Sequence, residues 1–404
     1  MTTVVVSPAN VANYPEGGGH SWVYLQYVHA LRQLGCDVYW LERFRRTGDR
    51  ARDDAALRTF SDRMRRFGIS GRVILYAEGA EADGDVGHEY VGIPRLKAER
   101  LLRNADLLLN FQYAIAPAVL QLFRRTALVD IDPGLLQFWI ATGQLTVPPH
   151  DAYFTTGETV GKPSALFSDC GVDWIPIHPP VCLDLWPRVS TEPAPSFSTV
   201  SSWWGGGAKG HAEWIVDGAD VCYDNCKRVS FLEFLELPRL TRSSLELALN
   251  LSDDEEDVAE RQLLERVGWR VRHSREVAGS PEAYQAYVQG SRGEFSCAKP
   301  SCMRFQNAWV SDRTICYLAS GRPVVVQHTG PSSFLPNGEG MFRFATLAEA
   351  VDALAAVESA YERHCRAARE LAEAYFDAER VIGGMLEAAF ADAGRDKEDA
   401  CVRI

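Results

Sequence analysis

A glycine-rich segment near the amino terminus has the composition of an anion-binding loop. It reads Glu16-Gly17-Gly18-Gly19-His20 and lies between an apolar run at residues 3–7 and a helix that we expect at residues 21–34. Glycines let backbone N–H groups approach an oxyanion closely, and the amino end of a helix adds partial positive charge. The segment is neither G-x-G-x-x-G nor a P-loop with its Lys-Ser/Thr pair. A flexible turn without a ligand is the alternative.

His20 and Asp132 are the candidate general bases. His20 stands where the first helix is expected to begin, so it could take a proton, donate a hydrogen bond to a phosphate or only cap the helix. Asp130 and Asp132 end a second apolar run, and the turn signal Pro133-Gly134 puts Asp132 on the rim above the sheet. There Asp132 could orient a hydroxyl group, act as a base or cap the following segment.

A third segment, at residues 311–326, has the pattern of a tight helix–strand unit. A polar start at Ser311 precedes about three helical turns, Gly321 ends the helix, and residues 323–327 form a β-branched run. The free N–H groups at such a helix start bind anions, and Arg313 or Lys299 close by would suit a pyrophosphate. A capped helix with solvated charges is the alternative reading.

Apolar runs and amphipathic segments alternate along the whole chain, which predicts parallel sheets with helices on their faces. Residues 228–234 fit either a strand or a helix. The proline-bearing stretch 187–198 is the best linker, which gives an N-terminal domain at 1–186, a C-terminal domain at 199–370 and a helical tail at 371–404. Because ligands bind beyond the carboxyl ends of parallel strands, we expect the functional cleft between the two domains.

Composition limits the function classes. The 404 residues carry a net charge of −12, with 46% hydrophobic and 24% charged residues, so the chain is globular and its overall charge gives no support for nucleic-acid binding. No apolar stretch reaches the ~18 residues of a membrane span. The amino terminus has no basic leader, and the ten cysteines include no C-x-x-C pair. We therefore expect a cytoplasmic protein with reduced thiols.

Several of these segments resemble the two-domain glycosyltransferases of the GT-B type. Residues 311–326 resemble the closing element of the donor site, and residues 130–137, 154–158 and 293–296 resemble a bacterial, GT4-like branch. The resemblance implies an α/β fold of two Rossmann-like domains facing across a cleft, with C-terminal helices. It also implies a nucleotide-diphosphate sugar bound mainly by the C-terminal domain, an acceptor bound mainly by the N-terminal domain, and no essential metal or other cofactor.

The resemblance and the local patterns together predict three groups of site residues. The predicted donor-binding residues are Gly17, Gly18, Gly19, Lys299, Ser311, Asp312, Arg313, Thr314, Thr329 and Gly330. The predicted acceptor-binding residues are Gln112, Tyr113 and Trp139. Many retaining relatives carry two glutamates where this chain has Ala308 and Cys316, so the ribose contact of the second glutamate is absent. The stereochemistry stays open, and an inverting reaction would use His20 or Asp132 as the base.

The predicted function is sugar transfer from a nucleotide-diphosphate sugar to a small-molecule acceptor, with specialised metabolites among the candidates. The sequence leaves open whether the nucleotide is UDP, GDP or dTDP. Two alternatives remain. One is an epimerase of the same fold that acts on the sugar nucleotide alone, and the other is a non-catalytic sugar-nucleotide-binding protein, which the absence of the paired glutamates slightly favours.

Overall fold

The computed structural model describes residues 1–80, 86–190, 192–205, 213–217 and 221–391. Residues 392–404 of the predicted helical tail, and Thr191 of the predicted linker, lie outside the described residues.

The N-terminal half forms an eight-stranded sheet in the order β4-β3-β2-β1-β5-β6-β7-β8, in which only β4 runs antiparallel to its neighbour. Its strands are β1 (Thr3–Ser7), β2 (Asp37–Arg43), β3 (Val73–Ala80), β4 (Val86–Val91), β5 (Leu107–Asn110), β6 (Thr126–Asp130), β7 (Ala152–Thr155) and β8 (Trp174–Pro176). Its helices are α1 (Gly18–Gln33), α2 (Arg50–Arg66), α3 (Arg95–Asn104), α4 (Pro117–Leu120) and α5 (Leu135–Ala141). The central strands are continuous apolar runs because helices cover both faces of a parallel sheet.

The C-terminal half forms a six-stranded parallel sheet in the order β13-β12-β9-β14-β15-β16, with a separate antiparallel hairpin, β10–β11. Its strands are β9 (Ser196–Ser201), β10 (Trp214–Asp217), β11 (Val221–Asp224), β12 (Ser244–Leu249), β13 (Arg270–His273), β14 (Gly293–Ser296), β15 (Val324–Gln327) and β16 (Met341–Phe344). Its first helices are α6 (Lys227–Glu233), α7 (Leu237–Leu240), α8 (Glu255–Val267), α9 (Ser274–Ala278), α10 (Pro281–Gly290) and α11 (Pro300–Phe305). The later helices are α12 (Asp312–Ala319), α13 (Leu347–Ser359), α14 (Tyr361–Leu371) and α15 (Ala378–Ala391), with a π-helical turn at Ala372–Phe376.

Two sheets that are parallel except for β4, with covering helices, confirm the predicted fold class. The ambiguous residues 228–234 are mostly in α6, a helix too short for apolar spacing to distinguish it from a strand. The first helix begins at Gly18 rather than at the predicted Ser21, whose hydroxyl group bonds the Gly17 carbonyl oxygen at 3.0 Å within the first turn. Strand β9 begins at Ser196, inside the predicted linker.

The two halves pack directly against each other. Helix α1 of the N-terminal domain contacts both α10 and α15. The Trp22 indole donates to the Pro281 carbonyl oxygen at 2.8 Å, and the Asn307 amide donates to the Pro133 carbonyl oxygen at 2.6 Å. A single buried apolar cluster therefore includes residues of both domains.

Candidate active site

A cleft of about 600 Å³ opens at the carboxyl ends of β9, β12, β13 and β14. The loops after these four strands form most of its wall, and Tyr14 faces them from the loop that precedes α1. This position is where open parallel sheets bind ligands, because the loops there are free to vary around a fixed frame. The cleft therefore has the place and the size of a small-molecule site.

One end of the cleft presents a fixed aromatic plane. The Trp204 indole donates to Asp257 Oδ1 at 2.7 Å, and the Arg228 guanidinium lies 5.2 Å from the Trp204 ring centroid. Arg228 is itself held by Glu260 through bonds of 2.7 and 2.9 Å. A half-buried tryptophan fixed in this way can stack on a base or a sugar. Its neighbour Trp203 is only 1% exposed and belongs to the core.

Two lysines, Lys227 and Lys299, line the cleft, and Arg275 lines it as well. The Lys227 ammonium lies 6.0 Å from the Trp309 ring centroid, and it has no hydrogen bond to a carboxylate in the described part of the chain. Burial, with Arg313 nearby, lowers the pKa of Lys227 to about 7. Lys299 donates to Glu213 Oε2 at 2.8 Å; burial lowers its pKa, but Glu213 and Asp132 outweigh that effect and raise it. Two partly buried ammonium groups in one cleft favour an anionic ligand.

Lys227 was missed by the sequence predictions, although a signal was present. It is the first residue of α6, where the partial positive charge of a helix disfavours a cation. A lysine at a helix start therefore indicates that its side chain has a role other than stabilising the helix.

The predicted donor residue Arg313 is engaged inside the C-terminal domain. Its Nε donates to Glu294 Oε1 at 2.7 Å and its Nη1 donates to the Val200 carbonyl oxygen at 3.0 Å. The Arg313 side chain is 10% exposed and that of Glu294 is fully buried. In this conformation the guanidinium does not line the large cleft, so its predicted contact with a diphosphate stays a prediction.

The amino end of α12 faces a second, much smaller cavity. Ser311 caps the helix as predicted, since its Oγ accepts the Arg313 backbone N–H at 3.3 Å. Ser311, Arg313 and Thr314 line a cavity of about 20 Å³, which has room for about one water molecule. Burial, with Asp132 adding to the effect, raises the pKa of Asp312 to about 7. The predicted donor contacts of this helix start need a wider opening than the described conformation provides.

Thr329 and Gly330 pack beneath a neighbouring turn rather than in the large cleft. The Thr329 hydroxyl donates to the Trp309 carbonyl oxygen at 2.7 Å. Gly330 has φ +137°, and a side chain there would begin 2.4 Å from the Gln306 carbonyl oxygen. The loop is thus tied to residues 306–309, and its predicted role in binding the donor sugar stays a prediction.

The three glycines of the first loop serve close packing in this structure. A Cβ atom on Gly18 would lie 2.2 Å from the Ser280 carbonyl oxygen, and one on Gly19 would lie 2.7 Å from the Tyr284 ring. A Cβ atom on Gly17 would meet the ring of Tyr14 at 2.4 Å. The absence of side chains therefore lets the start of α1 touch the C-terminal domain, which is a different use from the predicted phosphate contact.

The two candidate bases, His20 and Asp132, lie close enough to interact electrostatically. His20 Nε2 bonds the Ala9 carbonyl oxygen at 2.7 Å. A carbonyl oxygen only accepts, so we assign the proton to Nε2 and the basic lone pair to Nδ1. Burial lowers the pKa of His20, and Asp132 is near enough to oppose that shift. Asp132 is exposed at the surface of its turn. Desolvation by the surrounding protein nevertheless raises the pKa of the Asp132 carboxyl group, while the positive charge of Lys299 opposes the shift.

Of the predicted acceptor residues, Tyr113 lies beside these acids. Its hydroxyl group is 3.3 Å from Asp130 Oδ1 and 3.5 Å from Asp132 Oδ2. Asp130 is fully buried, and burial raises its pKa to about 6 even though Gln137 and Thr155 donate hydrogen bonds to it. Asp130 therefore fixes the turn that presents Asp132, whose backbone N–H it accepts at 3.0 Å.

The other two predicted acceptor residues are placed differently. Gln112 is buried and donates to Ser7 Oγ at 2.6 Å. Trp139 packs in an apolar cluster that joins α5 to α11 and the β10–β11 hairpin. Neither lines the large cleft, so their acceptor contacts stay predictions.

Across the described ranges, no helix is both long enough and apolar enough to cross a bilayer. Within the same residues, His, Cys, Asp and Glu side chains form no group of three or more that could hold a metal ion.

Comparison with known proteins gives a fold but no sequence relative. No protein-family model matches the chain, and no curated protein matches its sequence. Solved structures of GT-B glycosyltransferases match nearly its full length, so the chain has the GT-B fold and the resemblance stated from its motifs is confirmed at that level.

Three of these structures serve as examples. HepE of Anabaena, solved with UDP and glucose, has a TM-score of 0.58 and 11% identity over 97% of this chain and 100% of its own. Sucrose-phosphate synthase of Thermosynechococcus elongatus has a TM-score of 0.54 and 14% identity over 97% and 100%. AviGT4, a glycosyltransferase involved in avilamycin A biosynthesis, has a TM-score of 0.53 and 13% identity over 98% and 99%.

Proposed function

We propose that this protein is a glycosyltransferase that moves a sugar from a nucleotide-diphosphate sugar to a small-molecule acceptor. The observation that carries the proposal is the cleft of about 600 Å³, which is lined by Lys227, a lysine without a carboxylate hydrogen bond among the described residues, and by Tyr14 of the opposite domain. The GT-B fold supports it, and HepE of Anabaena, which shares that fold, was solved with UDP and glucose.

In the proposed donor complex, the nucleoside stacks on Trp204 and the diphosphate lies against Lys227 and Lys299. Negative charge grows on the diphosphate as the bond to the sugar breaks, so fixed cations there lower the barrier. We propose that these lysines supply the required positive charge without an essential metal ion. Lys299 would then exchange part of its interaction with Glu213 for the phosphate.

We propose that the acceptor binds next to this cleft, beside His20, Asp132 and Tyr113, which are not among the residues that line it. If the reaction inverts, the His20 Nδ1 lone pair takes the proton of the acceptor hydroxyl, with Asp132 as the alternative base. The contact of Gly18 with Ser280 supports a closed arrangement that excludes water from the sugar.

We further propose a cytoplasmic enzyme whose acceptor is a specialised metabolite. The nine cysteines of the described chain are all free, which suits a reducing compartment. AviGT4, which is involved in avilamycin A biosynthesis, supports this acceptor class through its similar fold.

The experiment that tests the proposal begins with a thermal-shift screen over UDP-, GDP- and dTDP-sugars. A bound donor should raise the melting temperature of the full chain by a few degrees. The selected donor is then incubated with and without an acceptor panel, in the presence and absence of EDTA. Transfer that needs an acceptor supports the proposal, whereas conversion of the donor into its epimer without acceptor would indicate the epimerase instead. Absence of any nucleotide shift would overturn the proposal.

A further inference from the structure

An arginine-rich loop follows β2 at the carboxyl edge of the N-terminal sheet. It consists of residues 44–46, Phe-Arg-Arg, and we call it the arginine loop. Phe44 is 2% exposed and anchors the loop in the core, and its backbone N–H donates to the Tyr76 carbonyl oxygen at 2.7 Å. The side chains of Arg45 and Arg46 are exposed. The loop thus holds cationic side chains outward from a fixed base.

Hydrogen bonds tie the arginine loop to the loop that faces the cleft. Asn13 donates its side-chain amide to the Arg45 carbonyl oxygen at 2.7 Å and accepts the Arg45 backbone N–H at 2.9 Å. Beneath them, the Ala12 backbone N–H donates to Glu42 Oε1 at 2.8 Å. Tyr14, which directly follows Asn13 in the chain, lines the large cleft. The arginine loop therefore lies at the N-terminal margin of that cleft.

Described residues neutralise Arg45 and Arg46 only in part. Arg46 pairs with Glu89 at 2.8 Å, but both side chains are more than half exposed, at 55% and 63%, so the pair holds Arg46 weakly. Arg45 forms no ion pair with any described residue. Asp53 also lies near Arg46, so of these two arginines Arg45 is the one whose charge is available to an external anion.

We propose that the acceptor carries an anionic group, a phosphate or a carboxylate, and that Arg45 binds this group with help from Arg46. A guanidinium presents a planar fork of donors that matches both anions and holds them in two-point contact. Anchoring the charged end of the acceptor at the arginine loop would leave its hydroxyl group on the side of His20 and Asp132. This inference rests on the proposed function, because it identifies the acceptor class of the same cleft.

The test uses three hexoses that differ mainly in charge: glucose 6-phosphate, glucuronate and glucose. Their dissociation constants are measured on the full chain saturated with the nucleoside diphosphate that the donor screen selects, so that the diphosphate site is blocked. We expect glucose 6-phosphate or glucuronate to bind at least tenfold more tightly than glucose, and which of them does so identifies the anion. The preference should weaken as ionic strength rises.

Two variants and a control connect the preference to the arginine loop. Arg45→Gln and Arg46→Gln should reduce the preference for the anionic hexose, with the larger loss for Arg45→Gln. Arg58→Gln removes the same charge from an exposed position of α2 and should retain it. Equal or undetectable binding of all three hexoses would overturn the inference. A preference that survives in the double variant Arg45→Gln/Arg46→Gln would overturn it as well. Nucleotide binding is measured separately, so its failure would count against the proposed function instead.

Discussion

The His20 imidazole donates its Nε2 hydrogen to the carbonyl oxygen of Ala9 across 2.7 Å, and this bond leaves Nδ1 as the basic nitrogen. The Ala9 carbonyl belongs to the loop after β1, so the same loop that leads into α1 also orients the ring that α1 carries. Such orientation of a histidine by its second nitrogen is what a general base requires.

In an inverting reaction, His20→Ala should lower the turnover number by about a hundredfold or more, because a positioned base contributes roughly 10²–10⁴-fold to the rate. Nucleotide affinity should stay unchanged. Burial lowers the pKa of His20 below 6.5, so its neutral, basic form persists below that pH and the acid limb of kcat/KM should fall there too. Steady-state kinetics from pH 5 to 8 check this. If Asp132→Asn removes the activity while His20→Ala retains it, Asp132 is the base.

Lys227→Ala should weaken nucleotide binding by about tenfold or more, since a charge-assisted hydrogen bond contributes roughly 1.5–3 kcal/mol. The pKa of Lys227 is lowered to about 7, and a phosphate binds the protonated form, so wild-type affinity should fall as pH rises above 7. Isothermal titration at pH 6 and pH 8.5 measures both effects. Lys97→Ala, which removes an exposed lysine of α3, serves as the control and should bind normally.

Arg313→Ala should lower the free energy of unfolding by about 3–5 kcal/mol, because it leaves the fully buried Glu294 without its partner. The double variant Arg313→Ala/Glu294→Gln should recover part of the loss, since no unpaired charge is then buried. Urea unfolding monitored by tryptophan fluorescence gives both values. A single variant as stable as the wild type would show that the pair matters little for stability.

Gly18→Ala should separate the two domains at the start of α1. The new Cβ atom would lie 2.2 Å from the Ser280 carbonyl oxygen and 2.5 Å from that of Ala278, and backbone atoms cannot rotate away. We expect a larger radius of gyration in X-ray scattering and a loss of turnover. Gly383→Ala, where a Cβ atom meets nothing within 4 Å, should be neutral or stabilise α15 by up to about 1 kcal/mol. Equal behaviour of the two variants would contradict the packing role of Gly18.

Glu158 joins the domains through Ser333, whose backbone N–H and hydroxyl group both donate to Glu158 Oε1, at 2.8 and 2.7 Å. Burial alone would raise its pKa, but hydrogen bonds from Ser332, Ser333 and Lys162 lower it from 4.5 to about 2. A lowered pKa stabilises the folded state above pH 4.5, and this contribution is lost as the pH falls toward 2. Melting temperatures between pH 5 and pH 2.5 should therefore decline less for Glu158→Gln than for the wild type.

The fold was largely predictable because its signals are local. Continuous apolar runs such as residues 4–6 indicate strands buried on both faces, and the serine at 311 indicates a helix start, which the structure confirms. The site was less predictable because its contacts are distant in the chain. The glycines of the first loop predict close approach of some group, but the local pattern does not reveal that the group is the backbone at Ser280.

For the charged residues, too, partners that are distant in the chain could not be predicted from the sequence. The local pattern predicts Arg313 as a phosphate ligand near a helix start, but it does not reveal the ion pair of Arg313 with Glu294 on the adjacent strand β14. Lys227 was overlooked because the segment that follows it, residues 228–234, fitted two secondary structures, and only the tertiary fold brings its ammonium group into the cleft.

The last described helix, α15, covers α1 of the N-terminal domain, and Val181 pairs with Asp377 just before it begins. Within the described residues, the polypeptide therefore passes from one lobe to the other twice. A chimaera that exchanges acceptor lobes between enzymes of this architecture must transplant residues 378–391 together with the first 186, or the grafted lobe will expose the apolar side of its first helix.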